Sequence, residues 1–126
     1  MKLWEYLRKK MLPHADKVAF AHSGITYGDL LGLGRPNEDG RLRLCIGKSR
    51  EEQSVNILRC IAEGDVAVPA SLEYGVKQFG SIAEAVKKNR EAYPEPAFLM
   101  FTSGTTGKPK GVMLSERNII TNLEYI

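Results

Sequence analysis

The sequence predicts an α/β fold, and three observations carry that prediction. Short apolar or alternating runs recur along the chain, at residues 41–46 (RLRLCI), 66–68 (VAV) and 97–101 (AFLMF). Between the first two lies a stretch with helical periodicity, Arg50 to Ala62, closed by Gly64. The resulting strand, helix, strand order is that of a crossover unit, in which neighbouring strands run parallel. At 126 residues the chain supports one domain, spanning residues 1–126. The expected architecture is a mostly parallel sheet flanked by helices, with a small β-hairpin near the N-terminus.

Each element has its own signal. Leu3, Leu7 and Met11 recur every four residues beside Trp4 and Tyr6, which predicts an amphipathic helix over 2–12 stopped by Pro13. Val18 to Ala21 reads as a strand that turns at Ser23-Gly24 into a second one at Ile25-Thr26, the predicted hairpin. Tyr27 to Leu33 is a short helix ended by Gly34 and Pro36, and a polar turn over 34–40 follows. Arg41 to Ile46 pairs parallel with Val66 to Val68, and the helix between them sets Val55, Leu58, Ile61 and Ala62 on one face. A further helix is predicted from Ser81 to Ala92. The strand at 97–102 joins the same sheet. Ser115 is a fitting N-cap for a last helix to Ile126, whose Ile119, Ile120, Leu123 and Ile126 form an apolar face beside Tyr125. With no partner expected for that face, it should be exposed and promote self-association.

The chemistry concentrates in residues 102–111, TSGTTGKPKG, behind the run AFLMF. Gly104, Gly107 and Gly111 let the backbone turn where a Cβ would collide and bring its N–H groups close to a ligand. Thr102, Ser103, Thr105 and Thr106 add hydroxyls, and Lys108 and Lys110 add positive charge. Polyphosphate oxygens accept several charge-assisted hydrogen bonds at once, so this cluster suits them. It is not the P-loop of nucleotide hydrolases, G-x-x-x-x-G-K-[ST]. Thr102 stands where that motif needs Gly, and Pro109 stands where it needs Ser or Thr and disfavours a helix starting at Lys108. The apolar Val112-Met113-Leu114 instead reads as a returning strand, giving strand, glycine loop, strand.

The stretch FTSGTTGKPKGVMLSERN, Phe101 to Asn118, resembles the signature loop of the adenylate-forming superfamily of acyl-CoA synthetases, luciferases and nonribosomal peptide synthetase adenylation domains. Similar echoes run upstream at 3–21, at ITYGDL (25–30) and at ILRCIAEGDVAVPA (57–70), in the order of that family's N-terminal lobe but with shorter spacing. The resemblance implies a partial N-terminal lobe of the adenylate-forming fold. It implies that Thr102, Ser103, Gly104, Thr105, Thr106, Gly107 and Lys110 bind the β and γ phosphates of ATP, with Mg²⁺ present in the complete enzyme. Such enzymes join a carboxylic acid to AMP with release of pyrophosphate, then pass the acyl group to coenzyme A or a carrier-protein pantetheine. The family's downstream adenine, metal and lysine motifs have no match here, so no catalytic and no metal-ligating residue is assigned, and the chain is expected to be an inactive N-terminal fragment. The alternative is a non-catalytic interaction or split-enzyme module; a third possibility is a minimal phosphate-binding domain acting alone. Glu116 stands where many relatives have His and is given no catalytic meaning.

Magnitudes set the expectation for ligand binding. Ordering ten loop residues costs roughly 1–2 kcal/mol each, and six hydrogen bonds to charged oxygens return about 1.5–3 kcal/mol each. The two sums nearly cancel, so the isolated chain should bind ATP weakly.

Composition narrows the remaining classes. Apolar residues make up 43% and charged residues 26%, near globular averages, and the net charge is +3. Arg8-Lys9-Lys10 and Lys87-Lys88 are short helical runs without interleaved aromatics, which argues against nucleic acid and membrane partners. The charged start at Lys2, Glu5 and Arg8 is unlike a signal peptide, and no stretch reaches the length of a membrane span. Cys45 and Cys60 read as small buried hydrophobes in a reducing, cytoplasmic setting, with neither His14 nor His22 tied to them as a catalytic partner. His14, just after Pro13, reads as a polar residue at a helix end.

Overall fold

A computed structural model describes residues 2–34, 41–71, 96–102 and 110–125. The helix predicted at 81–92 and most of the polar turn at 34–40 lie outside these residues.

The chain opens with α1, Leu3–Met11, which buries Leu3, Tyr6 and Met11. Leu12–His14 continues as a single 3₁₀ turn with Pro13 in its first positions, where a missing N–H costs no helical hydrogen bond. Strands β1 (Val18–Phe20) and β2 (Ile25–Thr26) pair antiparallel, as expected, with Gly24 at φ 77° in the turn. Helix α2, Tyr27–Leu31, starts from a capping box in which Thr26 N–H donates to Asp29 Oδ2 at 2.9 Å and Asp29 N–H donates to Thr26 Oγ1 at 3.1 Å. It stops at Leu31, short of the expected Leu33, because the Gly32 N–H already closes back onto Asp29 and Leu30 carbonyls.

The main sheet has four strands in the order β3 (Leu42–Cys45), β4 (Val66–Pro69), β5 (Pro96–Thr102) and β6 (Lys110–Ser115). Two of its pairings are parallel: Leu42 to Cys45 lie beside Val66 to Pro69, and Ala67 beside Phe98. The third, β5 with β6, is antiparallel. Helix α3, Arg50–Ala62, makes the crossover from β3 to β4. It starts at Ser49, whose Oγ accepts the Glu52 N–H at 3.1 Å, and it ends at Gly64 with φ 82°.

The face that α3 turns inward agrees with the predicted one at Ile61 and Ala62, both buried, and differs from it at Val55. Ile57, Cys60 and Ile61 pack into the core, whereas Val55 lines a surface cavity. Polar residues set this rotation. Gln53 Nε2 donates to the carbonyls of Cys45 and Ala70, both at 3.1 Å, and Asn56 Nδ2 donates to that of Ile46 at 2.8 Å. Strand-end carbonyls need donors when they are covered, so the helix presents the 53, 56, 60 line. At the opposite end of the strands the buried Asp65 accepts the Arg41 N–H at 3.1 Å through Oδ1 and Arg43 Nη1 at 3.2 Å through Oδ2, and Arg43 also pairs with Glu63.

The last helix, α4 (Glu116–Glu124), begins at Ser115 in a second capping box, with Asn118 N–H to Ser115 Oγ and Ser115 N–H to Asn118 Oδ1 both at 3.1 Å. Its apolar face was expected to lie bare, and that expectation is corrected in part. Ile119 and Ile120 pack on the core cluster of Leu3, Ile61 and Ala97, because α1 lies against α4. Leu123 and Tyr125 remain exposed, and Ile126 lies outside the described residues. Two further clusters complete the core, Cys45, Cys60 and Ala67 under α3, and Val68 with Leu99 flanked by Leu42, Leu44 and Met113.

Candidate phosphate-binding site

Strands β5 and β6 hold the glycine-rich segment between them. Their register runs from Phe98 beside Leu114 through Leu99, Met100 and Phe101 to a final pair, Thr102 beside Lys110. Antiparallel partners have Cα atoms about 4.5–5.5 Å apart, so the backbone leaves and re-enters the sheet within one strand spacing. Ser103, Gly104, Thr105, Thr106 and Gly107 of the predicted set, together with Lys108 and Pro109, lie outside the described residues; of Thr102 and Lys110, the backbone pairing is what is described.

The direction of the strands fixes where this segment emerges. β3, β4 and β5 are parallel, so the end of β5 at Thr102 is on the same edge of the sheet as the ends of β3 at Cys45 and β4 at Pro69. In open α/β sheets that carboxyl edge is where ligands bind. β5 buries Ala97 and Leu99, which anchors the start of the segment in the core, while Met100 and its partner Val112 are exposed side by side near its base.

The supports behind this edge were not foreseen from the sequence. Gln53 bridges the carboxyl ends of β3 and β4 through its paired hydrogen bonds. Gly47 makes this possible, since a Cβ there would stand 2.5 Å from the Gln53 backbone nitrogen. The sequence signal was the spacing Gln53, Asn56, Cys60 on one helix face.

A Gly-Lys-Ser run, Gly47-Lys48-Ser49, sits at the same edge between β3 and α3, with its Lys48 amide engaged locally. Lys48 N–H donates to Glu52 Oε2 at 3.2 Å and Glu52 N–H to Ser49 Oγ, with Glu51 and Glu52 placing negative charge on the first turn. The two carboxylates make that turn unfavourable for an anion. Nearby, a cavity of about 460 Å³ opens between the β1–β2 turn and α3, lined by His22, Ser23, Glu51 and Arg59 among others. Its most prominent acid is also engaged, because the Glu51 carboxylate accepts the His22 and Ser23 N–H groups at 3.0 and 2.9 Å.

Elsewhere the titratable groups serve structure. Asp29 is held below the usual carboxylate range by the backbone and then the hydroxyl of Thr26. The Tyr6 phenol is raised, first by its hydrogen bond to Glu124 and then by burial. Glu116, which carried no catalytic assignment, has a structural one: its Oε2 accepts the Leu3 N–H at 2.9 Å. His14 ends the 3₁₀ turn with its ring 6.4 Å from that of Tyr27. Cys45 and Cys60 are free and buried, in accord with the sequence reading. Among the described residues no three His, Cys, Asp or Glu side chains converge to hold a metal, and no helix is long and apolar enough to cross a membrane.

Comparison with known proteins follows the same lines. The family model for AMP-binding enzymes matches residues 37–126. Indigoidine synthase of Streptomyces lavendulae is 35% identical over 114 residues, covering 83% of this chain and 8% of that protein. A 4-chlorobenzoate–CoA ligase of Arthrobacter is 34% identical over 82 residues, covering 56% of this chain and 16% of the ligase. The chain thus spans less than a fifth of either curated relative. Among solved structures, the N-terminal subdomain of Klebsiella oxytoca NpsA, in complex with 3-hydroxyanthranilyl-AMSN, shares the fold with a TM-score of 0.55 at 18% identity over 91% of this chain and 40% of that one.

Proposed function

The chain belongs to the AMP-binding enzyme family, and from that premise we propose that it is the triphosphate-gripping lobe of an ATP-dependent, carboxylate-activating ligase. Residues 1–126 form one lobe. Thr102, Ser103, Gly104, Thr105, Thr106, Gly107 and Lys110 hold the β and γ phosphates of ATP. The reading is carried by one observation: the segment is tied off by the Thr102–Lys110 pair at the carboxyl edge of the parallel strands.

In the reaction this lobe would serve, a carboxylate oxygen attacks the α phosphorus of ATP and the bond to the β phosphate breaks, releasing pyrophosphate and leaving an acyl-adenylate. Thioester transfer to coenzyme A or a carrier-protein pantetheine follows. The contribution of this chain is electrostatic. Backbone N–H groups, hydroxyls and the Lys110 ammonium take up the negative charge that builds on the departing pyrophosphate. Mg²⁺ would enter with the nucleotide, since the described residues offer no acidic cluster for it. In this reading the groups that activate the carboxylate and the thiol are not assigned to these residues.

A second reading is supported by the exposed apolar residues Met100, Val112, Leu123 and Tyr125. They suit a lobe that completes a split enzyme with another polypeptide, or that self-associates through α4 when alone. The buried free thiols agree with a reducing, cytoplasmic setting.

Labelling with an acyl-phosphate derivative of ATP, which acylates lysines beside the phosphates, tests the main reading. Lys110 should be modified ahead of Lys9, Lys10 and Lys48, and excess ATP should protect it. Uniform labelling of all lysines, unaffected by ATP, would remove the proposed role.

A further inference from the structure

The chain has two cysteines, and the fold brings them together. Cys45 is the last residue of β3, and Cys60 lies on the third turn of α3, the helix that crosses over it. Both belong to the core cluster that also holds Ala67, with relative exposures of 2% and 0%, and neither is in a disulfide. We propose that Cys45 and Cys60 are a covalent modification site, a buried dithiol that closes to an intramolecular disulfide under two-electron oxidants of the peroxide class and reopens under thiols.

The surroundings define the order of events. The Cys45 thiol donates to the carbonyls of Arg43 at 3.5 Å and Asn56 at 3.8 Å, the latter on the helix turn that carries Cys60, and the two cysteines share one core cluster. The proximity of the two thiols lowers the Cys45 pKa and, with burial, raises that of Cys60, so Cys45 is the more readily deprotonated of the two. Cys45 is also the more exposed of the two, at 2% against 0%. Its thiolate attacks the peroxide O–O bond, giving a sulfenic acid and, after protonation, water. Cys60 sulfur then attacks the Cys45 sulfur, the S–O bond breaks, and the hydroxide leaves as water with the Cys60 proton. Two thiols lose two electrons, and one peroxide becomes two waters. With two cysteines in the chain, only one internal connectivity exists.

Closure would pin the carboxyl end of β3 to α3 beneath the Gln53 bridge, on the edge from which the glycine segment emerges. The isolated chain should be treated with hydrogen peroxide under native conditions, quenched with an alkylating agent in denaturant, and mapped by non-reducing peptide mass spectrometry. The expected product is one Cys45–Cys60 cross-linked peptide per chain, without dimers, reversed by dithiothreitol. The thermal midpoint should rise on the order of 10 °C, as for closure of a loop of this length. Cys45→Ser and Cys60→Ser should each prevent the cross-link. Two free thiols after exposure that fully oxidises a dithiol peptide, sulfinic acid at either position, or disulfide-linked dimers would each overturn the proposal.

Discussion

The Glu116 carboxylate accepts the backbone N–H of Leu3 at 2.9 Å, joining the first turn of α4 to the first turn of α1 across almost the whole chain. Lys2, at the N-cap of α1, makes no side-chain capping bond, so the helix takes its cap from a distant residue. Ile119 and Ile120 pack on Leu3 beside it, and the Tyr6 phenol reaches Glu124 one helix length away. Since α4 follows β6 directly, this latch also fixes the strand that returns from the glycine segment.

Replacing Glu116 should therefore act as the loss of a cap. Glu116→Ala is expected to lower stability by about 1 kcal/mol, in the range of N-cap deletions, with Glu116→Gln costing less because its amide oxygen can still accept. Urea denaturation of the two variants beside the parent chain measures both.

At the carboxyl edge, Gln53 is the more sensitive position. Gln53→Ala removes the side-chain donor from two carbonyls, of which that of Cys45 keeps the Ala70 N–H at 3.3 Å, and should cost about 1–3 kcal/mol. Gln53→Glu places a carboxylate against the same two acceptors. Its folded pKa is then raised, so the variant should be least stable near neutrality and recover as pH falls through that raised value, visible in thermal midpoints against pH.

Two glycines separate steric from conformational cost. A Cβ at Gly47 would meet the Gln53 backbone nitrogen at 2.5 Å and Cα at 2.9 Å, so Gly47→Ala must displace α3 and should cost about 1–3 kcal/mol, as overpacking does. Gly24 has open space around it but φ 77°, and Gly24→Ala should cost on the order of 1 kcal/mol through strain alone. Equal losses at both sites in chemical denaturation would contradict this distinction.

Asp29 supplies a pH signature. Its folded pKa lies below its unfolded value of about 3.9, so its contribution is complete above that value and disappears as pH falls through the folded pKa. Asp29→Asn should flatten the acid limb of the thermal midpoint profile while leaving the neutral limb nearly parallel to that of the parent chain.

Much of this arrangement was legible in the residues. Arg50 to Ala62 was bounded correctly because Ser49 and Gly64 punctuate it, and the β5–β6 pair was legible because Pro109 forbids the helix that a P-loop would need. The inward face of α3 was read correctly at Ile61 and Ala62 but not at Val55, which hydrophobic spacing alone put inside. The bonds that orient the helix come from Gln53 and Asn56, and their partners are carbonyls that only the assembled sheet defines. The packing of α4 was missed for a related reason: its partner, α1, lies at the other end of the sequence. At the candidate site, residue types raised the expectation of phosphate chemistry, whereas the Thr102–Lys110 register and the shared edge with β3 and β4 required the fold.

Backbone amide NMR of the isolated chain, titrated with Mg²⁺ and ATP, tests the central claim most directly. The account predicts shifts confined to residues 102–111 and their immediate neighbours, with a dissociation constant on the order of 1 mM, about −4 kcal/mol, and loss of those shifts in Lys110→Ala. Shifts centred on another surface, or an unchanged response in Lys110→Ala, would contradict it.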